Sequence, residues 1–279
     1  MRAGVVGGGT MGVGIAHALV VSGAETIVVE PVPSQSDKAR QAIEDVLAKG
    51  VRRGRLTNLG ASHARERLSF VDAVDRLPGQ LDIVIESVPE NPAVKRAVLR
   101  EIERRHPAVI GSNTSSIAIG SLAEALERPD TFLGTHFFNP VWSMKLVELV
   151  VGTRTARATV DGVRVVMTVL GKEVIEVNDV PGFATSRLGL ALGLEAIRMV
   201  EAGVATAADI DKAMMLGYGH PMGPLRLTDL VGLDVRLSVA RYLRDELGER
   251  FRPPDLLEQM VADGRLGQKA GRGFYDWTS

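Results

Sequence analysis

The chain has 279 residues, of which 45% are apolar and 24% charged, and its 33 basic and 34 acidic residues leave a net charge of −1. These values are typical of a folded protein of about two domains. They exclude a wholly disordered chain and a strongly basic one, so no nucleic-acid or membrane partner is expected. Cysteine is absent, which excludes disulfides, thiolate metal sites and a cysteine nucleophile. No metal is predicted, and a reducing cytoplasm fits.

Strand and helix patterns alternate through the first part of the chain. Strands are predicted over residues 3–6, 26–29, 68–71, 81–86, 108–111, 132–136, 146–151 and 173–177, and helices over 11–22, 34–53, 93–105 and 158–170. This alternation predicts an α/β fold with a parallel, doubly wound sheet.

The pattern changes at Asn178–Gly182, where proline and glycine interrupt it. Beyond this point no strand is predicted. Helices are predicted over 183–201, 207–216, 234–247 and 255–262, with a rigid turn over 217–224. The first of these helices is apolar around most of its circumference, which indicates burial, in part against another subunit. We therefore expect an α/β domain over 1–180 and an all-helical domain over 181–279.

A glycine motif follows the first strand directly. Gly7, Gly9 and Gly12 form G-x-G-x-x-G and enclose Thr10 and Met11 at the start of a helix. In this position the glycines allow a tight turn, close approach of a pyrophosphate and helix–sheet packing. The helix N-terminus would hold the diphosphate. The alternative is a glycine-rich turn without a ligand.

An acidic residue closes the second predicted strand. Glu30 stands 18 positions after Gly12, close to the spacing at which a carboxylate binds a ribose 2′-hydroxyl and repels a 2′-phosphate. The sequence therefore predicts NAD, in preference to NADP, as the cofactor.

Among the five histidines, His136 differs because it ends a predicted strand, at the edge where open α/β sheets bind ligands. Glu148 lies 12 residues later within Leu-Val-Glu-Leu-Val, and a carboxylate among apolar residues is costly unless it is paired. A His136–Glu148 pair would satisfy the carboxylate, orient the imidazole and stabilise its protonated form. A core histidine near an unrelated strand-edge glutamate is the alternative.

Seven segments in order along the chain carry a family resemblance. They are VGGGTMGVGIA (6–16), SNTSS (112–116), HFFNP (136–140), MKLVELV (144–150), PGFATSRL (181–188), DKAMMLGYGHPMGP (211–224) and GQKAGRGFY (267–275). With them the chain resembles the monofunctional L-3-hydroxyacyl-CoA dehydrogenases of the 3-hydroxybutyryl-CoA type. The resemblance implies a Rossmann-like NAD-binding domain over 1–180 and a helical substrate and dimerisation domain over 181–279. A homodimer is therefore expected.

The resemblance also implies a reaction and roles for single residues. The reaction is oxidation of an L-3-hydroxyacyl-CoA, an acyl-CoA substrate, to the 3-ketoacyl-CoA by hydride transfer from C3 to NAD. His136 matches the general base, Glu148 its partner, and Ser115 a serine near the substrate oxygen and the nicotinamide. Further positions match cofactor contacts: Glu90, Lys95, Asn139 and Lys269.

Two positions depart from the family pattern. Ser186 stands where an asparagine bonds the substrate oxygen, so a catalytic role for Ser186 depends on a shorter hydroxyl. In the CoA-binding region Val46 and Arg53 stand in place of a serine and a lysine. Arg53 still offers a bidentate phosphate contact, whereas Val46 offers no hydrogen bond.

Structural alternatives remain open for several of these residues. Arg53 also fits a solvated helix end, Lys269 a surface lysine, Glu90 the start of a helix, and Ser115 a polar turn. Two further functions are open as well. One is a same-fold dehydrogenase of a non-CoA 3-hydroxy acid or sugar acid, and the other is a non-catalytic, NAD-binding structural protein.

Overall fold

The computed structural model describes residues 1–278 and divides into two compact units, Met1–Val180 and Pro181–Ser279. Within the described residues, unit 1 holds eight strands in one sheet and the first six helices, and unit 2 holds five helices. The strands are β1 (Arg2–Val6), β2 (Glu25–Val29), β3 (Leu68–Val71), β4 (Ile83–Glu86), β5 (Ile110–Ser112), β6 (Phe132–Phe137), β7 (Leu146–Val151) and β8 (Glu173–Asn178). The helices of unit 1 are α1 (Thr10–Val21), α2 (Pro33–Arg52), α3 (Asn58–Glu66), α4 (Pro92–Glu103), α5 (Ile119–Ala123) and α6 (Arg157–Val169).

The sheet order is β3-β2-β1-β4-β5-β6-β7-β8. Its first six strands follow the doubly wound order in which the chain reverses direction beside β1. The prediction of a wholly parallel sheet is wrong at one place, because β6 and β7 pair antiparallel. Only residues 138–145 connect these two strands, and a parallel connection needs a crossover of a dozen or more residues.

The core of unit 1 follows from its apolar patterns. All four residues of β4 are buried, as expected for a central strand covered on both faces. On α2 the buried residues Ala39, Ile43 and Leu47 recur every fourth position, which places them on one face of the helix. Helix α1 is apolar on most sides and has buried residues on several faces.

Unit 2 is helical, as the sequence predicts. Its helices are α7 (Thr185–Glu201), α8 (Ala207–Tyr218), α9 (Pro224–Val231), α10 (Leu233–Leu247) and α11 (Asp255–Ala262). Leu194, Ile197, Leu237, Leu243 and Leu257 are among its core residues. Within residues 1–278, no helix combines the length and apolar character that a bilayer crossing requires.

Several helix boundaries differ from the predictions. Helix α7 begins at Thr185 and not at residue 183, because Gly182 and Phe183 have φ values of 75° and 50°, outside the right-handed helical region. The predicted turn over 217–224 ends in a helix, since Pro224 is the first residue of α9. The short helices α3 and α5 were not expected.

Candidate active site

The glycine motif forms an open cradle at the start of α1. Gly7 has a φ of 111°, and a Cβ atom there would lie 2.6 Å from the Ser87 carbonyl oxygen. A Cβ on Gly12 would lie 1.8 Å from the Gly7 carbonyl oxygen, whereas one on Gly9 would meet nothing within 4 Å. Gly9 caps α1 without a side-chain hydrogen bond. The start of α1 therefore has open space at Gly9, next to the backbone N–H groups of its first turn, as in helix N-termini that receive an anion.

Glu30 lies beside this cradle, as the spacing predicts. Its Oε2 accepts a hydrogen bond from the Gly8 amide at 2.9 Å, and its Oε1 accepts one from the Val32 amide at 3.1 Å. A cavity of about 330 Å³ adjoins Glu30 and is also lined by Arg40 and Phe70. The Arg40 guanidinium lies 4.0 Å from the Phe70 ring centre. Neither Arg40 nor Phe70 is part of the sequence prediction, because their separation along the chain hides this contact.

Thr10 and Met11 occupy the first turn of α1, Thr10 exposed and Met11 partly buried. Both therefore border the cradle, and both also shape the first helical turn.

His136 and Glu148 lie opposite each other in the antiparallel pair of β6 and β7. The distance from His136 Nδ1 to Glu148 Oε2 is 2.7 Å, and the residues are 6% and 0% exposed. The Phe138 ring packs 4.5 Å from the imidazole, centre to centre. A buried carboxylate needs a donor of this kind, so the two residues satisfy each other at the end of β6.

Ser115, Glu90 and Lys95 come together at the carboxyl ends of β4 and β5. Ser115 is exposed in the loop after β5, and its amide donates to Glu90 Oε1 at 2.9 Å. Lys95, on the first turns of α4, is 0% exposed and lies 3.3 Å from Glu90 Oε2. Glu90 precedes the α4 cap, Asn91, whose side chain accepts from two backbone amides. Glu90 therefore lies just before a helix, as the structural alternative expects, and it also joins the loop before α4 to the loop after β5.

A further residue of this group, Glu86, was missed in the sequence. It ends β4, is fully buried and pairs with Lys95 at 2.8 Å. Its signal was the one that exposed Glu148, a carboxylate within an apolar strand, here Leu-Asp-Ile-Val-Ile-Glu.

Asn139 is exposed and begins the connection between β6 and β7, before a cis peptide bond to Pro140. The loop is held by Lys172, whose Nζ donates to the carbonyl oxygens of Val141 and Met144. His17, on α1, contacts the Trp142 ring edge-on.

His17 is not arranged as a base. Its Nδ1 is buried without a hydrogen-bond partner among the described residues. Burial, together with the nearby Lys172 ammonium, lowers the pKa of His17 to about 4. It therefore packs as a neutral side chain at neutral pH.

The two candidate site residues of unit 2, Ser186 and Lys269, lie on different elements. Ser186 lies in the first turn of α7. Lys269 Nζ donates to Asp234 at 2.6 Å, and both side chains are partly exposed. Burial alone would raise the pKa of Asp234, but the hydrogen bond and charge of Lys269, together with hydrogen bonds from backbone amides, outweigh it and lower that pKa.

The two long motifs of unit 2 are built around buried aspartates. Asp211 accepts from the amides of Leu225 and Arg226, both at 2.8 Å, at the start of α9. Asp229 accepts from the amides of Phe274 and Tyr275, both at 2.9 Å. These contacts fix the turn over 217–224 and the terminal segment over 273–277, so much of both motifs is structural.

Arg53 follows the last residue of α2, and Arg52, Arg53 and Arg55 are all exposed. Val46 is partly buried on the same helix. The exposed arginines suit an anionic group from solvent, and they equally suit a solvated helix end. Among residues 1–278, no cluster of three or more histidine, aspartate or glutamate side chains is arranged to hold a metal ion.

Comparison with known proteins decides the family. The family model for the 3-hydroxyacyl-CoA dehydrogenase NAD binding domain matches residues 2–180, and the model for the C-terminal domain of that family matches residues 182–277. The chain belongs to the 3-hydroxyacyl-CoA dehydrogenase family. The predictions of a Rossmann-like NAD-binding domain followed by a helical domain, and of NAD as cofactor, are thereby confirmed.

Full-length relatives of this family agree. The chain is 43% identical to the 3-hydroxybutyryl-CoA dehydrogenase of Mycobacterium tuberculosis, over 99% of this chain and 98% of the relative. It is 38% identical to a probable 3-hydroxybutyryl-CoA dehydrogenase of Bacillus subtilis, over 98% and 96%. The crystal structure of (S)-3-hydroxybutyryl-CoA dehydrogenase from Ralstonia eutropha superposes with a TM-score of 0.95 at 38% identity, covering 100% of this chain and 99% of the other.

The residues present fit the NAD of this family. Gly9 leaves the side of the cradle open where a diphosphate would approach, and the first turn of α1 has backbone donors for it. The Glu30 carboxylate lies at the end of β2, where a ribose hydroxyl would donate to it.

Proposed function

We propose that this chain catalyses the NAD-dependent oxidation of a short-chain L-3-hydroxyacyl-CoA, such as 3-hydroxybutyryl-CoA, to the 3-ketoacyl-CoA. The observation that carries the proposal is the buried His136–Glu148 pair, 2.7 Å apart, in the same unit as the glycine cradle. The names of the most similar relatives support the acyl-CoA substrate.

The proposed mechanism begins with proton transfer at His136. Because Nδ1 faces Glu148, the substrate 3-hydroxyl proton is accepted at Nε2. The resulting imidazolium is stabilised by the Glu148 carboxylate, whose charge is strongly felt in a buried site. The acceptor for the C3 hydride would be supplied by NAD held at the glycine cradle. In the reverse direction the imidazolium returns its proton to the 3-keto oxygen.

Ser115 has a positioning part in this proposal. Its backbone amide is fixed by Glu90, so the serine hydroxyl projects from a loop whose place is set before substrate arrives. A preorganised hydrogen-bond donor of this kind supports the substrate oxygen while charge develops on it. Asn139 and Glu90 are proposed to contact the nicotinamide half of the cofactor.

Contacts to the rest of the ligands remain predictions. Arg53 is proposed to bind a phosphate of CoA, for which its exposure and bidentate geometry are suitable. Lys269 is proposed to contact the cofactor and Ser186 the substrate oxygen.

We also propose a cytoplasmic homodimer. Unit 2 exposes large apolar side chains, among them Leu188 at 71% and Leu216 at 77%, and exposed apolar surface marks association sites. Sedimentation equilibrium tests this part, since a monomer at micromolar concentration would contradict it.

The reaction is tested by NADH consumption with acetoacetyl-CoA. Parallel assays use NADPH and free acetoacetate. We expect turnover with the CoA ester and NADH. Turnover with NADPH should be far slower because Glu30 disfavours a 2′-phosphate, and turnover of free acetoacetate should be far slower because it lacks the CoA phosphate that Arg53 is proposed to bind. Turnover of free acetoacetate at the same rate would indicate a non-CoA substrate. NADH binding without any turnover would indicate a non-catalytic protein.

A further inference from the structure

Glu86 has no part in the proposed mechanism, yet it is the buried centre of a hydrogen-bonded group. Its Oε1 lies 2.8 Å from Lys95 Nζ and accepts from the Val88 amide at 2.7 Å. Its Oε2 accepts from the Ser112 hydroxyl at 2.6 Å. The carboxylate is 0% exposed, so both oxygens depend on these partners.

Lys95 makes three polar contacts through its ammonium group. It donates hydrogen bonds to Glu86 Oε1 and to the Val88 carbonyl oxygen, the latter at 3.2 Å, and it forms an ion pair with Glu90 Oε2 at 3.3 Å. An ammonium has three donors, and the Lys95 side chain is buried. Its charge is therefore directed to the two carboxylates and is not presented to solvent.

Glu90 connects this group to the serine loop. Its Oε1 accepts from the Thr114 hydroxyl at 2.7 Å and from the amides of Ser115 and Ser116 at 2.9 and 3.0 Å. Burial alone would raise the pKa of Glu90, but the Lys95 ammonium and these hydrogen bonds outweigh it and hold the pKa below its usual range. With a side chain 38% exposed, Glu90 is the member of the group that a ligand reaches.

The contacts close a ring across two strands. Glu86 holds Ser112 at the end of β5, Glu90 holds the loop that follows, and Lys95 joins the two carboxylates. One ammonium between two carboxylates leaves a net negative charge, and the exposed carboxylate carries it to the surface. Without the Glu86 charge, Lys95 would have Glu90 as its one anionic partner and would draw it inward, away from Ser115 and Ser116.

We propose that Glu86 is a positioning residue for the nicotinamide half of the cofactor site. It acts through Lys95 on Glu90 and the Ser115 loop. The inference rests on the proposed function, which gives Glu90 its contact with the cofactor and Ser115 its place beside the substrate oxygen.

The test compares two ligands on Glu86→Gln, a substitution that keeps size and one acceptor oxygen. NADH spans the whole cofactor site, whereas ADP reaches the glycine cradle and Glu30 but lacks the nicotinamide half. We expect the Kd of NADH to rise about tenfold and that of ADP to stay within about twofold of wild type. Equal weakening of both ligands would mean a merely structural role and would overturn the proposal, as would an unchanged NADH Kd.

Two further variants test the route through Lys95. Lys95→Met leaves Glu86 buried without its cation, and the double variant Glu86→Gln/Lys95→Met removes both buried charges. If Glu86 acts through Lys95, the double variant binds NADH no more weakly than Lys95→Met. Multiplying losses would contradict that route. The double variant also provides a neutral replacement if Glu86→Gln alone does not fold.

Glu30→Gln is the matched control in the same sheet. It is expected to weaken NADH and ADP alike, which shows that the ADP assay responds to the adenosine half. All of these titrations omit the CoA ester. Failure of acetoacetyl-CoA as a substrate would therefore leave this test intact, and a negative result here would leave the reaction intact.

Discussion

The buried acidic side chains of the two units have different kinds of polar partner. In unit 1, Glu86 and Glu148 each face a titratable base, Lys95 at 2.8 Å and His136 at 2.7 Å. In unit 2, Asp211 and Asp229 face backbone amides, together with the Tyr275 hydroxyl and the Trp277 indole. All four acids are less than a tenth exposed.

This difference in partners distinguishes acids suited to a reaction from acids that hold the fold. A carboxylate whose partners are chiefly backbone amides fixes chain segments, and those amides keep their protons near neutral pH. A carboxylate paired with a histidine stabilises a charge that appears and disappears during a reaction. Glu86 ends β4, which pairs with β1 ahead of the glycine cradle, and Glu148 lies within β7 opposite His136. The unit 2 acids hold a helix start and the terminal segment in place.

The largest effect is expected at His136. His136→Asn removes the group that donates the proton to the 3-keto oxygen during reduction, so we expect kcat for acetoacetyl-CoA reduction to fall about 10³-fold. NADH binding, measured by fluorescence titration, should stay within about twofold of wild type. A loss of kcat below about tenfold would assign the proton transfer to another group.

Glu148→Gln removes the negative charge of the unit 1 carboxylate and keeps the shape of the side chain. We expect kcat to fall about 10²-fold, because the imidazolium loses its counter-charge and the imidazole its orientation. Steady-state kinetics at several pH values measure the effect. An unchanged kcat would place Glu148 with the structural acids of unit 2.

Asp229→Asn is the matched change in unit 2. It removes charged acceptors from the Phe274 and Tyr275 amides, so we expect the free energy of unfolding to fall by about 2 kcal/mol. Turnover per folded molecule should remain within about threefold of wild type. Urea unfolding measures the change in stability, and kinetics normalised by active-site titration measure turnover per folded molecule. A loss of kcat at unchanged stability would contradict the structural role of Asp229.

The smallest expected effect concerns His17, a buried group without a charged partner of opposite sign. Its pKa is about 4 in the folded chain and 6.5 ordinarily. As the pH falls below 6.5 the unfolded chain takes up a proton that the folded chain does not, so stability decreases with falling pH. Between pH 7 and 5.5 wild type should lose about 1 kcal/mol more than His17→Phe, measured by urea unfolding. Equal losses in both proteins would contradict the lowered pKa.

The fold class follows from patterns that are local in the sequence. The bounds of β7 and α11 agree with the predicted ranges, because apolar alternation and helical spacing are properties of short segments. The start of α9 was missed because Pro224 was interpreted as the end of a turn, although proline is also favoured at the first position of a helix. Helix α3 was missed although Thr57 caps it, since Gly60 weakens its helical pattern.

The candidate site also has parts that the sequence predicts and parts that it does not. The His136–Glu148 contact was predictable because an isolated carboxylate in an apolar strand needs a partner. The antiparallel register that places them opposite each other was not, since it depends on how β6 and β7 pair. The burial of Lys95 depends on two separate loops and on Glu86, so spacing along the chain alone does not reveal it, and the contact of Lys95 with the cofactor stays a prediction.

The role of the His136–Glu148 pair is tested most directly by a double-mutant cycle on the hydride-transfer step, measured in a single turnover with NADH and acetoacetyl-CoA. In the proposed mechanism Glu148 acts through His136. We therefore expect His136→Asn/Glu148→Gln to be no more than about threefold slower than His136→Asn alone. If the losses of the two single variants multiply instead, Glu148 acts independently of His136 and the proposed base pair is contradicted.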